Sequence, residues 1–411
     1  MQMDFESKLQ KYADVIVRAG LNLQPGQKLV IMAPVQTAVL VRKVAASAYQ
    51  AGCRFVDVLW NDEQVVLARY QYAPRDSFEE YAAWMPQALQ SYVNEGAAVL
   101  SLLAADPDLL KDQDPALIQT AMQTQMKHNR AVLEQIGGNQ VNWCVISMPV
   151  PAWAGKVFPG LPPAEQEARL WEAIFEVVRL NEPDPVAAWK EHDRALTLRC
   201  DRLNQKQYRA LRYRGPGTDL TVGLPAGHVW MGGSAQTVTG IRFIPNLPTE
   251  EVFTLPHKDQ VDGVVTASLP LSYGGKLIQN LSLTFRAGRV VDFRADTEQE
   301  TLEKLLNTDE GARRLGEVAL VPYGSPVSRS GLLFYNTLFD ENAASHFALG
   351  RAYPFTLSGG QDLTPEAFEA AGGNNSMTHV DFMVGSNQLD VDAVLPDGSV
   401  EPLMRRGEWA A

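Results

Sequence analysis

KLVIMA (Lys28 to Ala33), FVDVLW (Phe55 to Trp60), AAVLSLLA (Ala97 to Ala104) and WCVISMPV (Trp143 to Val150) are the stretches that decide the fold of the first half. Each is a short apolar run; the first follows the turn signal Pro25-Gly26, and helix-length segments separate one run from the next. A strand buried on one face alternates apolar with polar residues, whereas a run that is apolar throughout must be covered on both faces. Such strands separated by helices define a parallel sheet between helical layers. The first half is therefore expected to be a doubly wound α/β domain.

Outward from these runs the texture changes. Proline and tryptophan crowd between Pro149 and Pro163, two helical stretches follow (Ala164 to Leu180 and Val186 to Leu203), and Pro183 and Pro185 separate them. Beyond Arg209 come short alternating stretches, LTVGL, HVWMGG, VVTASLPL and LSLTFRAGRVVDF, bounded by Gly, Pro or Asp, as in antiparallel sheet. The expected class is α/β plus α+β: an N-terminal doubly wound parallel-sheet domain over residues 1–195, and a largely antiparallel C-terminal domain over 196–411 that carries the chemistry.

Composition narrows the function. The 411 residues suffice for two or three domains, and 45% hydrophobic with 20% charged residues is ordinary globular usage. No apolar run has the length of a bilayer span, and the opening MQMDFESKLQKYADVIVRAG mixes charge signs like an amphipathic helix instead of a secretion signal. Cys53, Cys144 and Cys200 lie far apart in apolar or mixed segments, which predicts reduced, buried thiols, a cytoplasmic protein and no cysteine-based zinc module. A formal net charge of −12 disfavours nucleic acid as the main partner. The basic residues Arg202, Lys206, Arg209, Arg212 and Arg214 read as a solvated face or an interface.

Nucleotide signals are absent: there is no GxxxxGK[ST], and Gly215-Pro216-Gly217 lies between strand-like segments. No GxSxG elbow or spaced Cys/His pair appears either. The chemistry concentrates in the C-terminal half. In SMTHVDFMVG, His379 and Asp381 fall on one face of a strand, with Val380 and Phe382 on the other. An imidazole and a carboxylate converging in this way can be a hydrogen-bonded structural pair or the start of a divalent-metal shell. His346 follows two acids in LFDENAASHFALG, and Glu317 stands alone in the apolar run of RRLGEVALV. A carboxylate there is costly unless it is paired or binds metal. Glu250 and Glu251 enter another apolar run in NLPTEEVFT. His128 and His192 read as surface residues, while His228 and His257 lie near turns, where a structural role is expected.

Four C-terminal segments, NLPTEEVFTLPH, RRLGEVALVP, LFDENAASHFALGRAY and THVDFMVGS, resemble the thermophilic aminopeptidase T and aminopeptidase S family of metallo-aminopeptidases. SMPVPAWAGKVFPGLP and EPDPVAAWKEHDRAL extend the resemblance through the N-terminal half, so it covers nearly the whole chain in order. It implies a hydrolase that removes N-terminal amino acids from peptides with broad specificity, by attack of a metal-bridging water. Two divalent ions are implied, of zinc, cobalt, magnesium or manganese. Their ligands would be Glu251, Glu317 (shared between the two), Glu341, His346, His379 and Asp381. Glu317 and Tyr353 would act in catalysis, Tyr353 donating to the reacting carbonyl oxygen; a cytoplasmic homodimer acting on free peptide N-termini is also implied. From chemistry alone Glu250 is the expected general base. In a regular strand, however, Glu250 and Glu251 would face opposite ways. The competing readings are a metal-dependent amidase or dipeptidase, and a non-catalytic metal-binding α/β protein.

Overall fold

The computed structural model describes residues 5–410, and the chain divides into two compact units. The first runs up to Asp193 and also takes in Ser234–Pro248; the second comprises Arg194–Gly233 and the chain from Thr249 onward. A single cut at residue 195 therefore misses the returning segment. That segment bonds to the last strand of the first sheet: Val145 N–H donates to Pro245 O (2.7 Å), and Leu247 N–H donates to Val145 O (3.1 Å).

In the first unit the four quoted runs form β1 (Lys28–Pro34), β2 (Phe55–Asn61), β3 (Ala98–Leu103) and β4 (Trp143–Ser147). They make one parallel sheet in the order β2-β1-β3-β4. Leu29, Val30, Ile31 and Ala33 on central β1 are fully buried, which is why the run is apolar after Lys28, while edge strand β2 is half-exposed. The opening amphipathic stretch is a helix over Phe5–Val15 that buries Leu9, Tyr12, Ala13 and Val15; Met1 to Asp4 lie outside the described residues.

The second unit contains an eight-stranded and a five-stranded antiparallel sheet, with two short hairpin sheets elsewhere in the chain. The five-stranded sheet comprises β5 (Met231–Gly232), β6 (Val252–Thr254), β7 (Leu315–Leu320), β8 (His346–Gly350) and β9 (His379–Met383), in the order β9-β8-β7-β6-β5. One of its faces sends Leu315, Val318, Leu320, Phe347, Leu349 and Phe382 into a core shared with the eight-stranded sheet, where Phe347 meets Tyr213 edge-on at 4.9 Å between centroids. Side chains alternate along a strand. The opposite face therefore carries the remaining residues of these strands, among them Glu317, His346, His379 and Asp381.

Candidate metal centre

Register decides which residues meet. Opposed residues of an antiparallel pair share a face. Ala319 opposes both Phe253 and His346, while Ala348 opposes both Glu317 and Asp381. Gly350 opposes His379. Glu317, His346, His379 and Asp381 are thus brought to one surface, with Ala319 and Ala348 as small residues between them. Glu251 joins from just ahead of β6.

One irregularity is essential to this arrangement. Leu315 points into the core, and strict alternation would send Glu317 the same way. A β-bulge between Leu315 and Glu317 inserts an extra residue, Gly316, and turns Glu317 onto the polar face. Gly316 is the residue that fits there: a Cβ at this position would lie 2.3 Å from Gly350 O and 2.4 Å from Arg351 O. Gly350, held at φ +105°, leaves a similarly tight gap, since a Cβ there would lie 2.1 Å from Thr378 O.

The side chains form two sets of three that share Glu317. Glu251, Glu317 and His346 each offer a ligand atom within 4.8 Å of the others, and so do Glu317, His379 and Asp381. His346 Nε2 is 3.2 Å from Glu251 Oε2 and 3.5 Å from Glu317 Oε1. His379 Nε2 is 3.4 Å from Asp381 Oδ1 and 3.9 Å from Glu317 Oε2.

Both imidazoles are held from behind. His346 Nδ1 lies 3.0 Å from Ala344 O, and His379 Nδ1 lies 2.7 Å from Arg351 O. A carbonyl only accepts, so each Nδ1 carries a proton and each Nε2 is directed at the carboxylates, the arrangement in which histidines bind metal. Glu251 Oε2 and Asp381 Oδ1 are buried yet make no well-aligned hydrogen bond, even though an imidazole nitrogen is close to each. Oxygens and nitrogens gathered around a point without aligned hydrogen bonds suit a cation at that point. The donor set, carboxylate oxygen and imidazole nitrogen with no thiolate, suits a catalytic divalent ion.

Electrostatics agree. Burial pushes the Glu317 carboxyl up, as do Glu251 and Asp381, while His346 and His379 pull it down; the net effect is upward. Burial lowers His379, but Asp381 and Glu317 outweigh it and lift the imidazole to about 9. His346 is likewise raised well above an ordinary histidine by Glu251 and Glu317 against its burial. Without a cation, the cluster holds protons in its place.

The other expected residues lie around this nucleus, outside the two triads. Glu341 has its carboxyl raised far above the usual range by burial and by the nearby charges of Glu251, Asp381 and Glu317. Glu250 is 3% exposed, and its backbone N–H donates to Asn342 Oδ1 at 2.6 Å. Because β6 begins only at Val252, the strict opposition of a strand does not bind the two adjacent glutamates. The Tyr353 ring lies 4.8 Å from that of His379, and burial with the charges of Glu317, Asp381 and Glu341 raises its phenol. His128 is exposed, His192 is half-buried against Trp189, and His228 is buried with Nδ1 on Pro225 O.

Sequence reading missed Asn342, whose buried amide accepts from Glu250 N–H and donates to Leu338 O, with Nδ2 also 3.5 Å from Glu341 Oε1. It also missed Gly316, Ala319, Ala348 and the Arg351 carbonyl. None carries a sequence signal, because small residues and backbone atoms gain their roles from register alone.

Two mixed carboxylate and imidazole triads that share Glu317 are a donor set suited to divalent ions. The family described as thermophilic metalloprotease (M29) matches residues 5–409, and this chain belongs to it. Aminopeptidase 2 of Geobacillus stearothermophilus is 50% identical over 406 residues, covering 99% of this chain and 98% of its own. Aminopeptidase T of Thermus thermophilus is 44% identical over 98% of this chain and 99% of its own. A solved structure of wild-type AmpT from Thermus thermophilus superposes with a TM-score of 0.94 at 44% identity, covering 99% of this chain and all of that one. The expected resemblance and the two-part fold both hold.

Proposed function

We propose that this metal-dependent aminopeptidase removes single residues from the free N-terminus of peptides at two divalent ions that share Glu317. Its membership in a metalloprotease family, whose similar relatives are named aminopeptidases, supports the reaction class. The pair of triads with one common carboxylate is the observation that carries the two-ion reading. Glu251, Glu317 and His346 would hold one ion, and Glu317, His379 and Asp381 the other, with Glu341 as a further acid close by. When bound, two such ions lower the pKa of water and polarise the scissile carbonyl.

The residues of the chain supply the rest. Glu250, anchored through Asn342, takes a proton from the attacking water and returns it to the departing amine. Tyr353, beside His379, donates its phenolic hydrogen to the carbonyl oxygen as negative charge grows there. The remaining carboxylate surface holds the cationic α-amine, which explains a requirement for a free N-terminus. Broad specificity, zinc, cobalt, magnesium or manganese as the ion, and a cytoplasmic homodimer complete the proposal. The helix Glu63–Tyr72 buries no residue and exposes Val65 and Tyr72 (67% and 83%), which supports self-association.

The test is hydrolysis of leucine p-nitroanilide and its N-acetyl counterpart, before and after chelation, with metals restored singly. The expected result is cleavage of the free amine alone, abolished by chelator and recovered with a divalent ion. Equal cleavage of the acetylated compound would establish an amidase instead. Glu250→Gln with full metal content and full turnover would remove Glu250 as base, and a monomer mass by light scattering would remove the dimer.

A further inference from the structure

The face that carries the metal ligands does not end at them. Phe253 opposes Ala319, which opposes His346, and on its other side Phe253 opposes Met231; all four share the ligand face. Phe253 also follows Glu251 by two residues, a rise of roughly 7 Å for extended chain. Its ring is half-buried and meets Phe355 edge-on (centroids 6.3 Å apart, planes at 80°). Phe355 stacks on Tyr353 (5.2 Å, 11°), and Tyr353 reaches His379 at 4.8 Å. An aromatic arc thus runs from beside Glu251, in one triad, to His379, in the other, and each of its three rings keeps part of its surface open.

Phe253 and Phe355 offer no oxygen or nitrogen to a divalent ion. Partly open rings next to reacting atoms gain most by covering apolar substrate surface. In an aminopeptidase the carbonyl carbon attacked is one bond from the α-carbon that bears the first side chain, so that side chain must lie against whatever adjoins the ions. We propose that Phe253 and Phe355, with Met231 behind Phe253, form the pocket for the side chain of the substrate's N-terminal residue and, within a broad specificity, favour large apolar residues such as leucine over small ones. This rests on the aminopeptidase reading above. Tyr353 closes the arc at the end nearer His379, so the same ring that donates to the carbonyl oxygen borders this pocket.

The experiment compares kcat/KM for alanine, leucine and arginine p-nitroanilides in the wild type, Phe253→Ala, Phe253→Leu and Phe355→Ala. Metal content and the affinity for free L-leucine and L-alanine by calorimetry are measured alongside. A wild-type preference for leucine over alanine of about tenfold or more is expected, because apolar pockets discriminate by roughly that much per methylene. Phe253→Ala and Phe355→Ala should each cut the leucine-to-alanine ratio by about tenfold at full metal content, in turnover and in amino-acid affinity alike. Phe253→Leu, which keeps an apolar wall, should recover most of the ratio and carries the test if the alanine variant fails to fold. An unchanged ratio, or a wild type indifferent between leucine and alanine, overturns the pocket and leaves the aminopeptidase standing. A wild type that cleaves none of the free amines removes both.

Discussion

Replacing Gly316 with alanine tests the geometry of the centre without touching a ligand. The added Cβ would lie 2.3 Å from Gly350 O and 2.4 Å from Arg351 O, so β7 and β8 must part locally by about 0.7 Å to reach even 3.0 Å. Overpacking of this order costs about 1–3 kcal/mol. The displacement is also directional, because Arg351 O is the atom that holds His379 Nδ1 at 2.7 Å. Loss of such a supporting partner lowers metal affinity by about 10–100-fold. The ion at Glu317, His379 and Asp381 should be weakened most, through two of its ligands, while the set containing His346, whose support is Ala344 O, should be disturbed only through the shared Glu317. Denaturant unfolding gives the stability, and titration of the chelator-treated protein followed by atomic absorption gives the number and affinity of ions. Gly160→Ala is the control, since a Cβ there meets nothing within 4 Å. A Gly316→Ala protein as stable as the control and binding its full metal complement at wild-type affinity would show that the bulge does not position Glu317 and His379 as argued.

Three further outcomes follow from the same site. Glu317→Gln should change sign with metal. In chelator it removes a charge that burial, Glu251 and Asp381 disfavour more than His346 and His379 favour it, and should stabilise by on the order of 1 kcal/mol. At metal concentrations of 100 times Kd it forfeits up to about 2.7 kcal/mol per ion, so unfolding curves that shift the same way in both conditions would refute the shared-ligand assignment. Ala319→Val and Ala348→Val add bulk between the ligands of one triad each, and each should cost one ion per chain while the circular dichroism spectrum is retained; full stoichiometry in both would show that the alanines do not floor the site. Finally, His379 at about 9 and a strongly raised His346 are protonated in the metal-free protein at neutral pH, so a cation must displace protons. Metal affinity should rise from pH 6 towards pH 9, and calorimetric heats should depend on the ionisation enthalpy of the buffer; heats that do not vary with buffer would contradict this.

Much of the molecule was legible before any coordinates, for reasons that differ by element. β1 announced itself because a strand covered on both faces must be apolar along its buried length, and LVIMA after Lys28 is. His379 and Asp381 were readable as a pair because side chains two apart on a strand share a face, and Glu317 because a lone acid in LGEVAL needs a compensating partner. Those candidate ligands and the family resemblance depend on short-range rules that leave a local imprint.

What only the tertiary structure decided is relational. Counted by period two, Glu317 and Leu315 belong on one face; the bulge at Gly316 parts them, and nothing in the letters RRLGEVALV marks it. The return of Ser234–Pro248 to the first sheet depends on hydrogen bonds to Val145, a partner far away in sequence. Asn342 supports Glu250, and Arg351 O supports His379, through contacts that bridge 92 and 28 residues. Residue identity settles which atoms can bind a cation, since that is a property of the donor. Whether five such donors from four separate stretches converge depends on strand register and backbone carbonyls, which the rest of the chain positions.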